Sequence, residues 1–494
     1  MENTKIYDFT VIGAGYGGLS AAALLAKEKL NVLLLEAHSV VGGCASFYSR
    51  KGFLFDAGAT TMSGVRKDQP LGKLFTQLGI EPNLKKLDPG MIINIDGKEL
   101  KRFADLNKWK EETSAFFDSG DKLNKFWDRV HQINDLSFEL ISNNYAIPPK
   151  SLGDFFKLIK FSNLKGLKLL PYLFEPVSDV VKKYGLDKIK NFESFLDEQL
   201  LITTQQNIKK APFLTAALGL AYPAETYYPY GGIYFPAKEI QRFFKEKGGE
   251  IKLKSKVTSV KLNNGVYEVE NQKGEKYCSK GVIFNIPVWN ISDLVAGEIK
   301  EFYTKISPKT DGMWGAFTLN FAVPNNLEND LPSAYYQIHT GETVPNCSSK
   351  SFFCTLSLID DLKRAPAGYK TVSISLHTKA EDWLNLSKEE YSLKKLETVK
   401  YILNKFDKVF PQFYGSEKLH LEAGTPRTFL DYTSRFNGYV GGIPHSVDLN
   451  LLKMSPNVTP FKNVYNCGDT FFPGQGTLSV SLAAQNIVQR IINA

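Results

Sequence analysis

At 494 residues, with 43% hydrophobic residues and no long polar tract, the chain outgrows a single core and reads as two closely joined folded domains. The net charge of +8 and pI near 8.9 are modest for this length, and the lysines are dispersed rather than gathered on a groove-reading helix, which excludes nucleic acid as the expected partner. Cys44, Cys278, Cys347, Cys354 and Cys467 contain no CxxC pair, so neither a disulfide framework nor a metal site is expected. No apolar run reaches the roughly 18 residues of a spanning helix, and Met1 to Thr4 leads straight into the first strand; the expectation is a cytosolic chain without a targeting segment.

Tyr7 to Ile12 is apolar and β-branched enough for a buried parallel strand, and Gly13 permits a tight exit from it. Gly15 leaves room for a pyrophosphate at the head of a helix, where unpaired N–H groups and the helix dipole favour an anion, and Gly18 lets that helix pack on the strand. Leu19 to Leu30 predicts the helix, and the next apolar strand ends on Glu36, from which a carboxylate reaches ribose hydroxyls and disfavours a 2′-phosphate. Strand, glycine triplet, helix, strand and acid in register predict a dinucleotide site made by Gly13, Gly15, Gly18 and Glu36. A second turn of small residues, Val40 to Ser46, follows, and then Gly52 to Gly58.

Between Lys150 and Lys190 the sequence is basic and aromatic, with Phe155, Phe156, Lys157, Lys160, Phe161, Lys165 and Lys168. It fits either an amphipathic lid with solvated lysines or a segment lying in a bilayer interface. Tyr228 to Pro236 then introduces a helix over 237–247, strands over 251–260 and 266–270, and an apolar run over 280–287. Residues 311–323 and 371–378 read as strands. The turn Gly438 to Gly442 has no convincing strand before it, so no second nucleotide site is expected. Asn463 to Asp469 is a strand ending on glycine and aspartate, and Pro473 to Leu478 opens a last helix over 479–492.

The amino-terminal run through Gly42-Gly43-Cys44-Ala45-Ser46 and Asp56 resembles the extended signature of the FAD-containing amine oxidase and carotenoid desaturase superfamily. The resemblance implies an α/β fold: a Rossmann-like FAD-binding domain of the amine oxidase or flavin monooxygenase type (1–65, 228–295 and 456–494) with an interleaved α+β substrate domain (66–227 and 296–455). It implies noncovalent FAD, since Cys467 stands outside the SGGCY-like context of covalent flavin. FAD contacts are expected from Gly42, Gly43, Ser46, Asp56, Val257, Gly468, Asp469, Gly476, Thr477 and Leu478, with Asp469 on a ribitol hydroxyl and the last helix beneath the flavin pyrimidine.

Phe472 to Gly476 resembles the PGxG turn of bacterial phytoene desaturases, carotenoid 3,4-desaturases and carotenoid isomerases. Tyr228 to Gly232, Gly424 to Phe429 and Gly438 to Gly442 match further turns of that family. This second resemblance implies an FAD-dependent oxidoreductase that desaturates a carotene, at the 3,4 position of an acyclic end, by hydride transfer to flavin N5. The alternatives are a cis–trans isomerase using reduced FAD and a flavin-bearing polyene-binding protein without turnover. A hydrophobic carotenoid requires an apolar tunnel, and reoxidation requires quinone or dioxygen; both favour peripheral association with a membrane surface. Asp197, Glu225 and Asp431 are candidates for the catalytic base, each open to a purely structural reading.

Overall fold

In the computed structural model, residues 5–493 are described except 143, 146, 150, 151, 159, 160 and 311. A first seven-stranded sheet runs Val257–Asn263, Val266–Asn271, Lys276–Phe284, Ile6–Ile12, Val32–Leu35 and Glu250–Lys252, and Val464–Asn466 pairs beside Val282 to Phe284. The four strands around Ile6–Ile12 are parallel to their neighbours, whereas Val257–Asn263, Val266–Asn271 and Lys276–Phe284 form an antiparallel meander. Alternation along these strands sends Phe9, Val11, Val32, Leu34 and Ile283 to one face and Ile12, Leu33, Leu35, Val282 and Phe284 to the other, and both faces are buried.

The first face is covered by helices Tyr16–Lys27, Tyr234–Glu246 and Thr477–Ile492. Tyr16–Lys27 is buried on nearly every side, which its run of Gly, Ser and Ala permits. Helix Pro70–Leu78 packs in the same core through Leu71, Leu74, Phe75 and Leu78, so this layer continues past residue 65 to Ile80. Helix Gly297–Ile306 likewise joins the first sheet through Tyr303, on the far side of the 295 boundary. The strand expected over 251–260 is interrupted, because Lys254 and Ser255 donate their amides to the His38 and Glu36 carbonyls instead of to a neighbouring strand.

The second sheet is also seven-stranded, in the order Leu419–Gly424, Trp314–Pro324, Tyr369–Lys379, Ser351–Leu356, Tyr335–His339, Met91–Ile95 and Lys98–Arg102. Its last two strands, Met91–Ile95 and Lys98–Arg102, come from the segment 66–227, and Ile92 to Asn94 pairs parallel with Tyr336 to Ile338. One face packs on helix Lys388–Val409 through Val399, Ile402 and Phe406. The other packs on the helical layer between residues 106 and 221 through Ile93, Tyr335 and Phe353. Of the strand expected over 311–323, Asp311 lies outside the described residues and the strand begins at Trp314. The basic segment is a short helix, Leu152–Leu158, followed by a 3-10 helix, Phe161–Leu173. Ile159, Lys160 and the side chains of Phe155, Lys157 and Phe161 are outside the described residues.

Candidate active site

A cleft runs across the carboxyl ends of the parallel strands, where open α/β sheets take their ligands. Gly13, with φ +96°, turns the chain out of the first strand, and a Cβ on Gly18 would lie 2.0 Å from the Gly13 carbonyl oxygen. The head of helix Tyr16–Lys27 is capped by Gly15, with no capping side chain and no acid in its first turn, so its amides remain available to an anion. Opposite, Gly42 donates its amide to the Ala14 carbonyl at 2.8 Å, and a Cβ on Gly43 would come 3.3 Å from Gly15 Cα. Ser46 closes this turn by donating its amide to the Gly43 carbonyl. The two glycine turns form a cradle that side chains would fill, and it fits a pyrophosphate. At its end the Glu36 carboxylate accepts the Ala14 amide at 2.7 Å and the His38 amide at 2.8 Å.

The other end is built from the last strand and helix. Gly468 and Asp469 follow Val464–Asn466, and helix Thr477–Ile492 begins at Gly476 without a side-chain cap or an acid in its first turn. Nothing lies within 4 Å of a Cβ built on Gly476, so the helix head faces open space. This bare positive terminus suits charge developing at the pyrimidine edge of a flavin. Asp469 is ion-paired at 2.8 Å with Arg435, whose Nε also donates to the Tyr439 carbonyl at 2.5 Å. Sequence reasoning missed Arg435; its place just before the Gly438 to Gly442 turn was the available signal. Cys467 is fully buried, its thiol donates to Asn285 Oδ1 at 3.7 Å, and burial pushes its pKa up.

One expected contact needs correction, and two others leave only their backbone at the cleft. Asp56 does not face the cleft: its carboxylate is buried in an ion pair with Arg364 at 2.6 Å and accepts the Ile233 amide at 3.2 Å. The Leu478 side chain packs over Gly64, leaving only its backbone at the helix head with that of Thr477. The Val257 side chain is in the core beneath the sheet, and only its backbone stands near the Glu36 end of the cleft, next to Ser255.

Beyond the closing helix lies a cavity of about 840 Å³ whose walls include Asp197, Gln205, Lys350, Met313, Trp314 and Ile443. It differs from the purely apolar tunnel expected, because Glu193, Glu198, Lys210 and Lys309 also line it. Gly441 lies between Gln205, a cavity-wall residue, and Gln475, just before the closing helix: a Cβ there would come 1.8 Å from Gln205 Nε2 and 2.7 Å from Gln475 Oε1. Gln475 donates to the Ile202 and Thr203 carbonyls, and Gln205 donates to the Val440 carbonyl. Gln205 Oε1 is buried and finds no hydrogen-bond partner among the described residues.

Of the three carboxylates singled out from sequence, only Asp197 lines this cavity; it accepts the Ile208 amide at 2.8 Å, and burial raises its pKa. Glu225 is tied to Arg66 at 3.1 Å and Lys86 at 3.9 Å, and Asp431 is exposed on helix Pro426–Thr433, so neither has the placement of a base. His445, also unforeseen, lies under the Gly474 turn, its pKa lowered by burial to about 4.

Residues 16–470 match the family described as flavin containing amine oxidoreductase. The chloroplastic prolycopene isomerase of Daucus carota is 27% identical to this chain over 99% of it and 81% of the isomerase. A 4,4'-diapophytoene desaturase (4,4'-diapolycopene-forming) of Methylomonas sp is 26% identical over 58% of this chain and 54% of its own. The crystal structure of putrescine oxidase bound to putrescine superposes with a TM-score of 0.65 at 15% identity, covering 99% of this chain and 100% of that one.

Proposed function

The chain belongs to the flavin-containing amine oxidoreductase family, with FAD as its cofactor, and from that premise we propose that it isomerises a long polyene of the carotenoid class between cis and trans forms. It is an FAD-dependent oxidoreductase of the carotenoid desaturase and isomerase group. The observation that carries the finer reading is likeness to a prolycopene isomerase over 99% of the chain, against 58% for the diapophytoene desaturase. Desaturation at the 3,4 position of an acyclic end is the second reading, favoured by that shorter match and by the Phe472 to Gly476 turn.

Bound FAD supplies a two-electron store. Glu36 would hold its ribose, the amides at the head of Tyr16–Lys27 its pyrophosphate, and Asp469 with Arg435 its ribitol side. Gln205 and Gln475 stand between the cavity and the head of the closing helix, and the polyene in the cavity would turn its reacting end toward them. Burial favours the protonated form of two cavity carboxyls, Asp197 and Glu198; Glu198 is engaged by the Ser351 hydroxyl and the Lys350 amide, so Asp197 is our choice for a group that holds a proton near the substrate.

Electron accounting tests the reading. An isomerase given prereduced FAD under anaerobic conditions returns a geometric isomer of unchanged mass and leaves the flavin spectrum reduced. Bleaching of oxidised flavin by the polyene, with a product lighter by two hydrogens, would establish desaturation instead and call for a quinone or dioxygen acceptor. A polyene that binds without changing in either experiment would leave only a carrier role.

A further inference from the structure

The 3-10 helix Phe161–Leu173 has a surface that the flavin chemistry leaves unused. Three residues per turn place i and i+3 in line, so the segment carries three rows. One row faces inward: Asn163 exchanges amide hydrogen bonds with Asn144 at 2.9 Å, Gly166 lies against Leu140, and Leu169 is 5% exposed. The second row is Leu164, Leu167 and Leu170, which are 54%, 60% and 45% exposed. The third row carries Lys165 and Lys168, both exposed, and ends near Phe174, which is 57% exposed. Lys165 has only a loose ion pair with Glu139, at 3.9 Å. An α-helical turn would have fanned these leucines apart; the 3-10 turn stacks them into one ridge with lysines alongside.

We infer that this ridge docks the protein on an anionic lipid surface, the leucines and Phe174 entering the acyl boundary while Lys165 and Lys168 meet the headgroups. A projecting row flanked by ammonium groups has the charge complement of an anionic bilayer. Four half-exposed side chains also offer well under the ~800 Å² that each partner buries in a stable protein interface. The inner row holds the ridge rigidly on the helical layer, so docking needs no refolding. Among the described residues no helix is long and apolar enough to cross a membrane. Docking of this kind is independent of which polyene reaction the cavity performs.

The test is cosedimentation of the FAD-loaded protein with equimolar phosphatidylcholine–phosphatidylglycerol vesicles. Binding is expected, weakened by salt and by pure phosphatidylcholine. K165Q and K168Q should each weaken it about fivefold, and the triple variant L164Q/L167Q/L170Q should abolish it while retaining flavin, the check that the fold survives. Wild-type binding below detection, or full binding by the flavin-retaining triple variant, would overturn the inference. So would a concentration-dependent dimer, seen by light scattering, that the triple variant disrupts, because the ridge would then seat a second copy. If the triple variant loses its flavin, K165Q/K168Q decides: vesicle binding as tight as that of the wild type overturns the inference.

Discussion

The Glu36 carboxylate is fixed from both sides, one oxygen on the Ala14 amide and the other on the His38 amide, so it stands at the cleft end in a set orientation. Hydrogen bonds to a charged acceptor contribute about 1.5–3 kcal/mol, so E36Q, whose NH2 would face one of these two amide donors, should weaken FAD at least tenfold. E36R should eliminate it, because a longer cation then occupies the ribose position. The ratio of flavin to protein after gel filtration measures both, and acid precipitation should release all wild-type flavin to the supernatant. Retention of stoichiometric FAD by E36R would remove Glu36 from the site. Asp56 illustrates the opposite outcome: an aspartate in the right stretch of sequence, yet committed to an arginine about 300 residues later in the chain.

At the scale of elements, the first helix can approach the first strand only because Gly18 has no side chain. A methyl group there would meet the Gly13 carbonyl at 2.0 Å, and that backbone cannot yield. G18A should therefore cost roughly 1–3 kcal/mol by overpacking and release FAD, seen as a lower thermal midpoint with substoichiometric flavin. This turn was legible in sequence because every requirement is local: strand, glycine spacing and acid follow one another within 36 residues. The hairpin of Met91–Ile95 and Lys98–Arg102 was not, since its place in the second sheet depends on pairing with Tyr336 to Ile338. The leucine ridge was half legible. A spacing of three stacks residues into one row only in a 3-10 helix, and the packing of Gly166 on Leu140 shows which rows face out. Gln205 and His445 were invisible because each acquires its role from a neighbour distant in sequence.

Across the whole molecule, a buried polar cluster ties the strand Phe53–Asp56 and the Tyr228 to Gly232 turn to the loop between strands Ser351–Leu356 and Tyr369–Lys379 of the second sheet. Asp56, ending the strand Phe53–Asp56, pairs with Arg364, and Asp361 accepts the Tyr228 hydroxyl at 2.7 Å and the Gly231 amide at 2.8 Å. The Tyr228 to Gly232 turn is thus held between two carboxylates and serves the junction of the layers. R364M leaves Asp56 buried without its cation and should destabilise the protein by about 3–5 kcal/mol, lowering the thermal midpoint. Adding D56L should restore part of that loss, because a buried pair replaced by apolar groups is far less costly than a broken one. Additive losses in the double variant would show that the two residues act separately.

The hydroxyls of Ser20 and Ser481, 3.3 Å apart, join the first and last helices across 461 positions of sequence. During synthesis the glycine turn that cradles a pyrophosphate is made first, and the wall beneath the flavin follows only after the intervening residues. At 5–20 residues per second that interval is on the order of a minute. The nascent chain must therefore carry a half-built nucleotide site, with one of the three helices over its first sheet missing, until helix Thr477–Ile492 arrives. Cofactor capture and completion of this core are one late event, and a shortage of FAD in the cell would be felt as a shortage of folded protein.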